Sequence, residues 1–307
     1  MEKILIVLAA FALVLFGCKS DPNKGSENFD DILGDDVNVE SSEVTEEMPT
    51  EALQVLQNIS SSPVEMAALL QASGVEFSER YIAEIQDVDR YNTDFKRALN
   101  LGILGADLGY LNMYKKTGPV MNNMQAIRKL SEELRVQQFF DFQTIKRLAT
   151  NNENIDSLMY ITLQSFNNMD TYLQQNGRSE VSALILCGTW IEGMYIATQV
   201  IKDAPEKNPE IEERIGDQKG IVENLTVMLS YYKNAGQFAN LHKQFEDLLE
   251  SYDGVTTTIT QGEPEQREID GIMVVIPNEV SNTVVPDETM ENIINTVKNV
   301  RNNLIQL

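Results

Sequence analysis

The sequence predicts a mainly all-α fold, a multi-helix bundle or α–α array closed by a small C-terminal β-hairpin. Three observations predict it. Apolar residues recur at helical spacing from Glu51 to Tyr252, helix starts and stops punctuate that stretch, and after Gly254 the pattern changes to β-branched runs.

In chain order, short helices are expected over Glu51–Ile59, Pro63–Ala72 and Ser78–Asp87, each opened by Thr, Ser or Pro at a capping position. Longer ones follow over Asn92–Lys116, Val120–Arg135, Phe140–Ala149, Ile155–Gln175, Glu180–Lys202, Glu210–Asn234 and Gln237–Tyr252. Asn208-Pro209 reads as a helix start, Gly177 and Gly236 as stops.

The runs GVTTTIT and GIMVVIP, separated by polar QGEPEQREID, predict a two-stranded hairpin over about 255–277 with a long tip. A closing helix over Asp287–Gln306 places Met290, Ile293, Ile294, Val297, Val300 and Leu304 on one apolar stripe. Its polar face is rich in Asn and not in Lys or Arg, so it reads as a bundle helix and not as a membrane-surface one.

A chain of 307 residues can bury enough apolar surface to fold without disulfides. Acidic residues outnumber basic ones 47 to 24, a net charge of -23, which argues against a nucleic-acid partner. Lys3 precedes an unbroken apolar run, Ile4 to Phe16, too short for a stable span and shaped like the core of a signal peptide covering 1–17. From Lys19 to Glu51, eleven acids meet two lysines with no apolar period. Residues 18–50 therefore read as an acidic tether, and 51–307 as the helical domain.

Leu15-Phe16-Gly17-Cys18 resembles the bacterial lipobox, with Phe16 bulkier than the usual second residue. The resemblance implies a mature N-terminus at Cys18, acylated (thioether-linked diacylglycerol, with palmitate-type chains) and held in membrane lipid. Lys19 directly after the cysteine implies the outer membrane of a diderm cell, on its periplasmic face or at the surface. Two or three acyl chains make a durable anchor at about 0.8 kcal/mol per buried CH₂. The body is similar, loosely, to the uncharacterised helical lipoproteins of diderm bacteria, a likeness that implies no activity. The second cysteine, Cys187, lies in an apolar segment and reads as a core residue.

Two interior segments carry the candidate site. In ALNLGILGADLGYLNMY, Ala98, Gly102, Gly105 and Gly109 fall on one side of a helix. Asn100, Asp107 and Tyr114 fall roughly opposite. Three interior glycines cost about 1 kcal/mol each, which a closely packed helix or a ligand would offset. The second segment, ALILCGTWIEGMYIA, is apolar nearly all round and should be the most buried helix, yet it holds Glu192 beside the sole tryptophan, Trp190. An offset of 85 residues aligns Ala98 with Ala183, Leu99 with Leu184, Leu101 with Leu186, Asp107 with Glu192 and Tyr110 with Tyr195. This is either a duplicated helical unit or the chance likeness of two apolar helices. Asp107, Tyr110, Tyr114, Trp190, Glu192 and Tyr195 are the candidate ligand-binding residues. The carboxylates either converge as a general acid and base or cation-binding pair, or accept hydrogen bonds from buried neighbours with no ligand at all.

Residue counts set further limits. A single histidine, His242, excludes His-rich zinc sites and di-metal sites built on paired ExxH motifs. No GxSxG, GxxxxGK[ST], GxGxxG or CxxC occurs. Asp87 to Asn92, DVDRYN, starts like a calcium loop but has Asn92 in place of its glycine and Ala98 in place of its final acid. No cofactor or metal is expected. The leading expectation is a lipid-anchored envelope protein with a non-enzymatic body that binds a small ligand or an envelope protein. The alternatives are an enzyme of unfamiliar type using Asp107 and Glu192, and a structural subunit of an envelope complex with a large apolar surface patch.

Overall fold

The computed structural model describes residues 70, 74–85, 88–151, 155–262, 265–269, 272–276 and 279–306. The chain divides into two units, Met1–Ser41 and Ser42–Leu307, and every described residue belongs to the second. Cys18, the signal segment, the tether and the expected helices Glu51–Ile59 and, apart from Leu70, Pro63–Ala72 lie outside the described residues.

The all-α class with a small C-terminal hairpin is borne out. Among the described residues the helices are α1 Asp94–Met113, α2 Thr117–Glu133, α3 Phe142–Asn151, α4 Ile155–Gln175, α5 Ser179–Asp203, α6 Pro209–Asp217, α7 Lys219–Ser230, α8 Gly236–Ser251 and α9 Asp287–Gln306. Strands β1 Thr256–Gln261, β2 Glu265–Ile269, β3 Ile272–Ile276 and β4 Glu279–Val284 separate α8 from α9.

Local chemistry sets the helix ends. Thr93 Oγ1 accepts from the Lys96 N–H at the start of α1, and Asn208 Oδ1 accepts from the Ile211 N–H ahead of Pro209 at the start of α6. Gly177 ends α4 with φ +67°, as expected of a C-terminal glycine. Lys115 and Arg135 take the same left-handed conformation, φ 56° and 57°, after α1 and α2. There the Lys116 N–H donates back to the Leu111 carbonyl and the Val136 N–H to Ser131.

Helices α1 and α5 form the centre. At their crossing each helix sets a glycine against the other's backbone: a Cβ on Gly102 would overlap the Ile185 carbonyl oxygen and lie 2.7 Å from the Thr189 nitrogen, and one on Gly188 would overlap the Leu99 carbonyl oxygen. Gly105 instead faces the Phe166 ring of α4, and Gly109 faces open space. Leu99, Leu101, Ile103 and Leu111 of α1 and Cys187, Ile191 and Ala197 of α5 are fully buried. Helix α5 is long and apolar enough to cross a bilayer, but 83% of its most apolar window is buried inside the fold.

Helix α9 packs on α5 and α8 through Ile293, Val297 and Leu304, all fully buried.

Four expectations change. Ser78–Asp87 is not a helix: a short 3₁₀ turn at Glu79–Tyr81 gives way to extended backbone at Ile82, because tertiary hydrogen bonds from α1 and α5 hold this segment. Glu210–Asn234 is broken at Gln218 into α6 and α7, and Gly236 opens α8 instead of ending a helix. The ribbon is longer than expected. β1 pairs antiparallel with β4, Thr256 opposite Val284 and Gln261 opposite Glu279, while β2 pairs with β3 from Glu265 opposite Ile276 to Ile269 opposite Ile272. The two β-branched runs expected to pair do not pair with each other, and half of the polar segment expected as a tip is strand β2, with Ile269 opposite Ile272.

Candidate functional site

Two carboxylates on separate central helices meet in the core. Asp107 on α1 and Glu192 on α5 are both fully buried, and their side chains interact directly. The contacts around them explain how. Gly102 and Gly188 let the helix backbones touch, Gly102 seated between Ile185 and Thr189 and Gly188 against Leu99 and Ile103. Asp107, five residues beyond Gly102, meets Glu192, four beyond Gly188, so α1 and α5 run parallel in this region.

The third member comes from the other end of the sequence. Arg301 of α9 donates from Nε to Glu192 Oε2 and from Nη2 to Glu192 Oε1, both at 2.8 Å, a two-pronged charge-assisted pair. The guanidinium carbon lies 4.4 Å from the centre of the Tyr195 ring, one helical turn beyond Glu192. Arg301 is itself only 8% exposed. Its pKa is raised: burial works against the charge, but the hydrogen bonds and charge of Glu192 more than offset it.

Asp107 has a different balance. Its Oδ2 accepts from the Ala83 N–H at 3.0 Å, while Oδ1 has no donor among the described residues. Burial, then the Glu192 charge, holds its pKa well above the ordinary carboxylate range, with the Ala83 bond pulling the other way. The raised pKa favours the protonated form of Asp107, which can donate a hydrogen bond where a carboxylate can only accept.

The other sequence candidates fall in two places. Tyr110 and Tyr114 extend from Asp107 along α1 and hold the segment before α1. The Tyr110 hydroxyl accepts from the Ser78 N–H at 3.1 Å, and the Tyr114 hydroxyl donates to the Val75 carbonyl at 2.7 Å. Their rings stand 5.0 Å apart, and Phe77 stacks on Tyr110 at 5.4 Å. Burial pushes the Tyr110 phenol up to about 12. Trp190 points elsewhere: its Nε1 donates to Gln218 Oε1 at 3.2 Å, and its ring lies 6.0 Å from Phe245. Gln218, at the break between α6 and α7, is thus fixed by α5.

Sequence reasoning missed Arg301, the Ala83 N–H and Tyr81, whose hydroxyl donates to Asp203 Oδ2 at 2.8 Å. Arg301 did carry a signal. Positions 290, 294, 297, 301 and 304 follow the alternating spacing of four and three that marks a core seam, so a charge at 301 implies a buried partner.

Among the described residues no group of His, Cys, Asp and Glu is placed to hold a metal ion. A small cavity elsewhere in the core is apolar, lined by Leu108, Met124, Ile127, Phe140, Ile145 and Phe166 among others, and no carboxylate lines it. Comparison with protein-family models, with curated proteins and with solved structures gave no match.

Proposed function

We propose that the chain is a lipid-anchored cell-envelope protein, held at the outer membrane through an acylated Cys18, whose helical body works by binding a partner protein and not by catalysis. The order of Lys3, the apolar run to Phe16, Gly17-Cys18 and an acidic tether supports the anchor. About thirty extended residues of tether would let the body reach on the order of 100 Å from the bilayer.

One observation carries the non-catalytic half. Arg301 already occupies the position that a cationic ligand or an amine-bearing substrate would take against Glu192, pinned on both oxygens and stacked on Tyr195. Two close carboxyl groups are an arrangement that acid–base catalysts use. Here both carboxylates are fully buried and spent on neighbours from the same chain, so the cluster reads as the lock that fastens α9 to the central pair.

Metabolic labelling with a palmitate analogue tests the anchor. The wild-type chain takes up label and sediments with outer membranes, and Cys18→Ala loses both properties. Label retained by Cys18→Ala would refute the anchor. Pull-down from detergent-solubilised membranes tests the body: a retained small molecule with no retained protein would refute partner binding.

A further inference from the structure

We propose that the outer edge of β1 is a docking edge, to which a partner protein adds an extended strand with a β-branched centre and basic residues at both ends. The inference rests on the reading that the body binds a protein, and it names where.

The ladder geometry identifies the edge. Thr257 and Thr283 are paired across β1 and β4, yet the Thr283 N–H donates to Glu213 Oε1 of α6 at 3.1 Å, away from β1. The two threonine hydroxyls meet at 3.0 Å between the strands, the close approach of a pair that exchanges no backbone bonds. The alternate pairs, Thr256 with Val284, Thr258 with Asn282 and Thr260 with Val280, therefore make the ladder. Consequently Thr257, Ile259 and Gln261 turn their N–H and C=O groups outward from β1.

The two edges are treated differently. β4 is guarded by α6, through Glu213 and through Gly216, whose missing side chain makes room for Thr283 and Val285. Among the described residues no strand pairs with the outer side of β1. Thr256 to Thr260 are all exposed, with Ile259 64% and Val284 55% accessible. Edge strands are ordinarily protected by Lys, Pro or a bulge, and TTTITQ carries no charge and no proline. A two-stranded ribbon is marginal in water, α6 supports this one on the β4 side, and a third strand on β1 would complete it.

Charge selects the occupant. Between Gly254 and Pro286 the ribbon holds Glu263, Glu265, Glu268, Asp270 and Glu279 against Arg267 alone. Asp253 precedes the uncharged centre and Glu263 follows it. A second copy paired through β1 would bring the same surplus of acids to the edge, like charge toward like charge. A strand with basic ends meets the same acids favourably.

The test uses the full chain in detergent micelles and two synthetic peptides with a Thr-Val-Thr-Val-Thr centre, one ended in paired Lys and the other in paired Glu. The Lys-ended peptide is expected to bind at least about tenfold more tightly, a difference that shrinks at high salt. It should also slow hydrogen exchange at the Ile259 N–H. Ile259→Pro removes that outward N–H and leaves the ladder bonds to β4, so it should abolish binding. Ile259→Lys, which keeps every backbone group, should weaken it. Equal binding of the two peptides, or binding untouched by both variants, overturns the proposal. So does a chain that is dimeric alone and made monomeric by Ile259→Pro. In the pull-down, a partner captured equally by wild type and Ile259→Pro sinks the edge but leaves partner binding standing, whereas capture lost only in the variant supports both.

Discussion

Replacing Gly102 by Ala tests whether backbone contact between α1 and α5 is what holds the centre together. On propensity alone the change should stabilise α1 by about 1 kcal/mol. The structure predicts the opposite sign. The new methyl would overlap the Ile185 carbonyl oxygen and sit 2.7 Å from the Thr189 nitrogen, and both obstacles are helix backbone that cannot rotate aside. Relief requires parting the two most buried helices, which puts the overpacking cost at the top of its usual range, about 3 kcal/mol, and the net loss near 2 kcal/mol. Gly188→Ala should behave alike, since its methyl would overlap the Leu99 carbonyl oxygen. Once one alanine has parted the helices the second meets less resistance, so the double variant should cost less than the sum by roughly 0.5 kcal/mol or more. Gly109→Ala is the control: nothing lies within 4 Å of its added carbon, so it should gain about the 1 kcal/mol of propensity. Gly105→Ala should fall between, because the Phe166 ring in its way can rotate. Urea unfolding of the full-length variants, followed by circular dichroism with the slope checked for constancy, measures each difference. A Gly102→Ala chain as stable as Gly109→Ala, or strictly additive costs for the pair, would show that the crossing is not the constraint described.

Other predictions concern the buried charges and the helix ends. Burial and the Glu192 charge raise the Asp107 pKa in the folded chain above its unfolded value, so above about pH 4 the unfolded state binds fewer protons and this group's contribution falls as pH rises. Asp107→Asn can donate to Glu192 and accept from Ala83 without a proton, so it should flatten the stability profile between pH 4 and 8 and be at least as stable as wild type at pH 7. A profile parallel to wild type would show that Asp107 is ionised when folded. Arg301→Met leaves the Glu192 carboxylate buried without its cation and should cost about 3–5 kcal/mol, most of it recovered by adding Glu192→Gln. Thermal unfolding of the single and double variants checks this, and the absence of recovery would exclude charge as the cause. Arg135→Gly should stabilise by about 1 kcal/mol, because Arg135 is exposed and holds a left-handed φ of 57°. An unchanged unfolding midpoint would count against that strain.

The long helices were legible because burial and period agree in them: Asp94–Met113, Ile155–Gln175 and Ser179–Asp203 lie close to their expected bounds. What tertiary contacts decide was not legible. The segment from Ser78 has helical composition, but the Tyr110 hydroxyl, Asp203 and Asp107 take its Ser78 N–H, its Tyr81 hydroxyl and its Ala83 N–H. The break at Gln218 likewise serves Trp190. The hairpin turn was legible and overlooked, since Asp270-Gly271 between two isoleucines is the signature of a two-residue hairpin loop. The meeting of Asp107 with Glu192 could be anticipated from two acids in apolar helices. Their counter-charge could not be anticipated by reading those helices, because it enters from α9, 109 residues beyond Glu192.

The offset of 85 residues has a geometric counterpart. Aligning the two central segments sets Asp107 on Glu192 and Tyr110 on Tyr195, and the folded chain puts Gly102 between Ile185 and Thr189, Gly188 against Leu99 and Ile103, and Asp107 against Glu192. Position i of α1 therefore faces about position i + 85 of α5, as in two parallel helices related by a local two-fold along their length. Such a pair brings like residues together: small beside small, which permits contact, and acid beside acid, which opposes it. The opposition is resolved asymmetrically. Asp107 takes the Ala83 N–H and a raised pKa, Glu192 takes Arg301, and Tyr110 caps a backbone N–H while Tyr195 carries the guanidinium. The flanks diverge as well, α2 continuing unbroken where α6 and α7 are interrupted at Gln218. Whatever produced the likeness, a symmetric centre with two ionised carboxylates could not have been buried. The distinct partners supplied by the segment before α1 and by α9 allow this pair to close, so those two segments belong to the core and are not appendages of it.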